Sequence, residues 1–171
     1  MRRDRLSRLA ESIDALVEKD DLLLERARVI SALRRNAAAE LYGTCAGFIA
    51  TLNGLLSKSR IALDPPEYAP ENFRDDAPNL FQINIHGRIL QIEFRATGEL
   101  FQTEDFRVPY TLEGAVRSFN QQLLDQDLIR EHALFYCLEK DRSFWRYFDE
   151  RTYRSGPFDM DYLATLVEEL L

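Results

Sequence analysis

Along the first third of the chain, apolar residues recur at alternating steps of three and four. The stripe runs Leu6, Leu9, Ile13, Leu16, Asp20, Leu23, Ala27, Ile30, Arg34, Ala37, Leu41, Thr44, Phe48, Thr51 and Leu55. Charged residues such as Arg8, Glu11, Asp14, Glu18, Lys19, Glu25 and Arg28 fill the other positions. This is a heptad-like helical pattern, and no proline interrupts it before Pro65. It predicts an amphipathic helical arm over residues 3–58. As one helix the arm would reach about 84 Å, at roughly 1.5 Å per residue. Two polar residues qualify it. Asp20 and Arg34 sit on the stripe and cost stability there unless they find partners. Asp20-Asp21 also suits the start of a second helix, so the arm is expected as one long helix or as a helix pair.

A second stripe, Gly43, Gly47, Ala50 and Gly54, runs beside the bulky one. Glycine costs roughly 1 kcal/mol relative to alanine inside a helix, so the spacing suggests close approach of another backbone. Residues 38–57 are therefore expected to dock on a sheet, and residues 4–36 to project or to pair with a second chain. The residues expected to carry that pairing are Leu6, Leu9, Ile13, Leu16, Leu23 and Ile30.

After the arm the pattern changes. Residues 61–79 hold four of the six prolines and read as an extended or mobile acidic linker. Phe81, Ile83 and Ile85, then Leu90, Ile92 and Phe94, alternate with polar residues, and His86-Gly87 between them reads as a tight hairpin turn. Thr97-Gly98 is a second turn, leading to a short strand near residues 99–104. Thr111 can cap a helix with Leu112, Ala115, Val116, Phe119 and Leu123 on one face. Residues 132–139 and 144–153 read as a hairpin around Lys140–Ser143, ended by Ser155-Gly156-Pro157. Asp159 then caps a terminal helix with Leu163, Leu166, Val167 and Leu170 on its apolar side.

The expected fold is α+β: a long N-terminal helix or helix pair, then an antiparallel meander of about five strands with an inserted helix and a C-terminal helix. The expected domains are an arm over 1–60, a linker over 61–79 and an α+β body over 80–171. The last hairpin is apolar on both faces, which demands a cover on both sides: a helix on each, or a partner surface on one.

Charge adds an asymmetry. Residues 1–60 carry 11 Lys+Arg against 8 Asp+Glu, whereas residues 61–171 carry 11 against 21. Acids interrupt the arm throughout, so its positive excess is not the concentrated footprint a nucleic-acid binder needs. No apolar run reaches the roughly 18 residues that a membrane helix needs, and no secretory leader is read. The expected location is the cytoplasm, with Cys45 and Cys137 reduced and buried.

Candidate chemistry is sparse. The two histidines, His86 and His132, lack a second ligand at metal spacing, and no cofactor is expected. Nucleophile-elbow and phosphate-loop motifs are missing. Cys137 and His132, five apart on one strand, would face opposite ways. The unusual segment is 142–154, where arginines interleave with aromatics; Arg142, Trp145, Arg146, Tyr147 and Arg154 are its candidate partner-binding residues. The pattern thus points to a non-enzymatic interaction or adaptor protein that self-associates through its arm. The expected partners are a second copy or another protein, with nucleic acid disfavoured and no membrane. The alternative is a small-molecule sensor or enzyme with a pocket between sheet and helix.

Overall fold

The computed structural model describes residues 2–100, 108–120 and 130–171. Its elements are helix α1 (Arg2–Leu55), strands β1 (Ala62–Asp64), β2 (Asn79–Ile85), β3 (Arg88–Ala96), β4 (Tyr110–Asn120), β5 (Arg130–Leu138), β6 (Ser143–Asp149) and β7 (Arg154–Pro157), and helix α2 (Met160–Leu170). The chain divides into two compact units, one ending at Leu33 and one spanning Arg34–Leu171.

The first unit is helix alone. Asp20-Asp21 starts no new helix; α1 runs through it without a break. Local polar contacts run along this unit: the Ser12 hydroxyl donates to the Arg8 carbonyl, and Arg28 lies 3.9 Å from Glu25.

The second unit is an antiparallel meander of seven strands in sequential order. The sheet therefore exceeds the five strands expected. Two of the additions come from segments read as linker and as hairpin end. Ala62–Asp64 pairs with β2, and Arg154–Pro157 pairs with β6. The 61–79 stretch is thus partly built into the sheet edge, and it holds a short 3-10 turn at Pro70–Asn72. The Asp64–Pro65 peptide is cis. The β2–β3 turn forms as read. His86 and Gly87 have φ of 49° and 85°, the two positive values of a type I′ turn, and the Asn84 side chain accepts from the Gly87 amide.

The inserted helix is a correction. Residues 110–120 form β4, paired with β3 along its length and with β5. The spacing Leu112, Ala115, Val116, Phe119 suits a helix face, but it also suits a strand apolar on both faces. Leu112 and Val116 belong to one face, Ala115 and Phe119 to the other. Gly114 shows why the strand wins. It pairs with Phe94, and a Cβ there would overlap the Glu93 carbonyl oxygen and stand 2.7 Å from the Phe94 Cα. The strands approach each other closely where only glycine fits. Leu123, read as part of that helix, and most of the strand expected near 99–104 fall outside the described residues; Glu99 and Leu100 are in a bend.

Register assigns the two faces of the sheet, since paired residues share a side and neighbours alternate. One face carries Phe81, Ile83, Leu90, Ile92, Phe94, Leu112, Leu134, Tyr136 and Trp145, all buried. Residues 34–55 of α1 lie against it through Ala37, Ala38, Leu41, Tyr42, Cys45, Phe48 and Ile49. The Trp145 indole N–H donates to the Ala37 carbonyl at 2.8 Å. Helix α2 lies on this same face. Its Tyr162 stacks on Tyr147, two residues from Trp145 on β6, and Arg88 donates to the Leu170 carbonyl. A helix on each side of the last hairpin is not found among the described residues. The opposite face has a polar half, where Arg117 bridges Glu93 and Glu131. Its apolar half is a small cluster of Tyr110, Phe135 and Cys137 with Val108, Ala133 and Phe148 around it.

The glycine stripe also differs from its reading. Gly43, Gly47 and Gly54 have open space where a Cβ would be, so no other backbone among the described residues approaches them.

Gly114→Ala separates the strand from the helix it resembles. In an exposed helix interior the change would add about 1 kcal/mol of stability. In β4 it forces two strands apart and is expected to cost more than about 2 kcal/mol, in the range of overpacking. Urea denaturation of wild type and variant reads the sign directly.

Candidate functional site

Two features stand apart from the packed core: the apolar stripe of the first unit and a cavity in the second.

Within the first unit the large apolar residues are mostly unburied. Leu6, Leu9, Ile13, Leu16 and Leu23 are each more than half exposed. Val17, Leu22, Leu24 and Val29 are as open, with Leu22 reaching 73%. Ile30, grouped with the stripe on sequence, is already buried at 5%. Numbering Leu6 as position a of a heptad, Leu9, Leu16 and Leu23 take d, Ile13 takes a, and Val17 and Leu24 take e. Positions a, d and e together make the wider apolar stripe of a helix that packs in a bundle. Asp20 remains the polar member at an a position. Residues 2–33 hold seven basic and seven acidic side chains, so this segment is neutral overall.

The cavity lies in the second unit, between α2 and the β5–β7 end of the sheet, with a volume of about 590 Å³. It forms because β5, β6 and β7 bring His132, Tyr147, Asp149 and Arg154 to the helix-covered face by register. Asp159 caps α2 by accepting the Tyr162 amide at 2.9 Å, and so sets where Tyr162 enters. The Tyr162 ring stacks on Tyr147 at 4.0 Å and 8°. Its hydroxyl is 2.7 Å from Nδ1 of His132. Burial, with the charges of Asp149 and Glu169 nearby, pushes the Tyr162 phenol well above its ordinary range. The protonated phenol can donate to Nδ1 or accept from it, and Nε2 of the same ring lies 3.6 Å from Asp149 Oδ2. Asp149 in turn accepts from the Arg151 amide at 3.0 Å and the Thr152 hydroxyl at 2.8 Å. Burial alone would raise the Asp149 pKa. The bonds from Thr152 and Arg151 and the proximity of His132 outweigh it, and the carboxyl titrates below its ordinary value.

The arginine–aromatic segment is split by the sheet. Trp145 is a core residue at 3% exposure, bonded to Ala37. Tyr147 and Arg154 line the cavity on the same face. Arg142 and Arg146 are on the opposite side, where both lie over the Phe144 ring, at 4.7 and 5.1 Å. Arg146 also reaches Glu139 at 3.7 Å, and its buried Nε has no partner among the described residues. The five residues are therefore not one surface. His132, Asp149 and Tyr162 were not singled out on sequence. Their common signal is the alternation that puts His132 opposite Asp149 across the β5–β6 hairpin, readable only once register is known.

Both cysteines are free and buried. Burial pushes Cys45 up to about 12 and Cys137 up to about 11, so neither offers a thiolate near neutral pH. Cys45 is on the helix and Cys137 on the far face of the sheet. Cys137 and His132 face opposite ways, as their spacing requires. Among the described residues, no group of three potential ligands could hold a metal ion, and no helix is long and apolar enough to cross a membrane.

The Asp149 cluster makes a pH prediction. Its folded pKa is depressed, so its contribution is complete above the unfolded value of about 3.9 and is lost as pH falls through the folded value. Thermal unfolding midpoints of the wild type are expected to drop more steeply below about pH 4 than those of Asp149→Asn. Parallel acid limbs would remove Asp149 from the account.

Set against known proteins, the chain matches no family model, no curated protein and no solved structure, so these two features carry the functional reading by themselves.

Proposed function

We propose that this chain is an interaction protein that self-associates through residues 4–36 of α1, with the α+β unit as the body that it brings together. The observation that supports this is the open stripe of Leu6, Leu9, Ile13, Leu16 and Leu23, flanked by Val17 and Leu24. An isolated helix in water draws little stability from propensity alone, and most helices are held by packing of an apolar face. A contiguous exposed apolar stripe of this kind marks an interaction site.

A second copy is the occupant that fits best. The heptad spacing is the one that identical helices bury against each other. The segment is neutral, so two copies meet without net repulsion. Burying the remaining exposed half of each side chain contributes roughly 1 kcal/mol per residue. Seven residues on each of two arms give on the order of 14 kcal/mol, against about 4–15 kcal/mol lost on association. The surplus is small, so association is expected to depend on concentration. Ile30 is already buried and is left out of this count.

Multi-angle light scattering over a range of concentrations tests this. The full chain is expected to run above monomer mass and to dissociate on dilution. Leu9→Glu/Leu16→Glu is expected to be monomeric at all concentrations with an unchanged near-ultraviolet spectrum, since Trp145 and the tyrosines of the core are untouched. A wild type that stays monomeric at high concentration would refute self-association.

A further inference from the structure

We propose that the cavity between α2 and the β5–β7 end of the sheet is a binding site for a small aromatic molecule carrying an oxyanion, a carboxylate or a phosphate. Its volume of about 590 Å³ is within the roughly 300–1,000 Å³ of small-molecule sites. The chemistry follows from which of its polar groups are already satisfied.

Most of its carboxylates have donors. Glu169 takes Arg130 at 2.6 Å, Asp159 takes the Tyr162 amide, and Asp149 takes Arg151 N–H and the Thr152 hydroxyl. Glu131, at the rim, is held by Arg117 on the other side of the sheet. Of the three guanidiniums that line the cavity, two are unmatched. Arg151, in the β6–β7 turn, and Arg154, at the start of β7, have no side-chain acceptor among the described residues, yet both line the cavity. Arg154 is registered against Asp149, so this end of the cavity has a fixed backbone frame. Arginine forks match the planar oxygens of a carboxylate or phosphate.

Asp161 also lines the cavity, from the first turn of α2. Thr165 donates to its backbone carbonyl, but its carboxylate has no donor among the described residues, so its charge disfavours an anion beside the helix. The anionic group therefore belongs between Arg151 and Arg154, with the rest of the ligand extending toward the helix. There it meets the stacked Tyr147 and Tyr162 rings, with Leu166 and Pro157 beside them. The two ring faces are turned to each other, and His132 and Phe158 pack on them from outside, so a flat apolar body would meet the rings along their edges. Edge-to-face contact between aromatic rings contributes about 0.5–1.5 kcal/mol beyond its area.

The two histidines make the test internal. His132 is in the cavity wall, whereas His86 is exposed at the β2–β3 turn. In the full-length protein, phenyl phosphate and benzoate are titrated while the imidazole proton resonances are followed, with benzyl alcohol as the uncharged control. Saturable movement of the His132 resonances with those of His86 still supports the site, and the tighter of the two anions names the head group. Arg151→Gln and Arg154→Gln are each expected to weaken binding about tenfold or more, as loss of a charge-assisted hydrogen bond does. Both side chains are on the surface, and unchanged histidine spectra without ligand establish that the variants fold. No saturable shift with either anion, an equal response to benzyl alcohol, or undiminished affinity in both variants would overturn the proposal.

Discussion

The body depends on how one stretch of helix is held to one face of a sheet. At Arg34 a guanidinium enters the apolar layer with only 8% of the residue exposed. Its Nε donates to the Thr111 hydroxyl at 2.8 Å, and Nη2 donates to the Thr97 side chain and the Glu99 carbonyl. Burial lowers its pKa, and Asp75 partly opposes that effect. A buried charge is expensive unless its donors are satisfied. Here neutral oxygens from β4 and from the bend after β3 supply the acceptors. One turn further along, Trp145 bonds the Ala37 carbonyl. These two links reach opposite parts of the meander, β3–β4 and β6, so they fix the azimuth of the helix as well as its position. Leu41, Cys45 and Phe48 then fall onto the sheet without further direction.

The same docking explains why the cavity is where it is. Residues 34–55 and α2 share one face of the sheet. The aromatic chain from Tyr42 through Phe81 and Phe94 to Trp145 fills the space under the first helix by edge contacts. Beyond Trp145 the floor continues to Tyr147, which belongs to α2 through the Tyr162 stack. At the outer end of the sheet, β7 is short and ends at Pro157, so little remains to close the gap between it and α2. The polar residues at that end, His132, Asp149 and Arg154, are what register brings to the helix-covered face where the apolar pattern of β5 to β7 runs out.

The sequence exposed these layers unevenly, for physical reasons. The long helix, the β2–β3 hairpin and the Asp159 cap were legible because each rests on local rules: periodicity, positive φ, and a side chain that bonds its own backbone. β4 was not, because Leu112, Ala115, Val116 and Phe119 satisfy both periods, and the arbiter is a close approach between strands that only pairing creates. The edge strands β1 and β7 are 3 and 4 residues long, too short to show alternation. In the candidate sites, the stripe from Leu6 to Leu23 could be read directly, whereas Ile30 could not be told from its neighbours on the same stripe. The arginine–aromatic run misled in another way. Composition groups Arg142 with Trp145 and Arg154, but a strand sends alternate side chains to opposite faces, and the sheet divides the set.

Arg34 and Asp20 make the clearest contrast within α1. Both interrupt the apolar stripe at a heptad position, and the stripe alone treats them as equal defects. Arg34 is resolved inside the body, where hydroxyl and carbonyl oxygens meet all the donors that Nε and Nη2 present. Asp20 is exposed, and no internal partner is needed to keep it so. A carboxylate at that position tolerates water but resists burial in a dry seam. In any pairing of two arms it weakens the middle layer while leaving Leu6 to Leu16 as an uninterrupted run. The self-association proposed above would therefore be concentrated toward the N-terminal half of the arm, with a polar layer at Asp20 limiting how tightly the remainder could close.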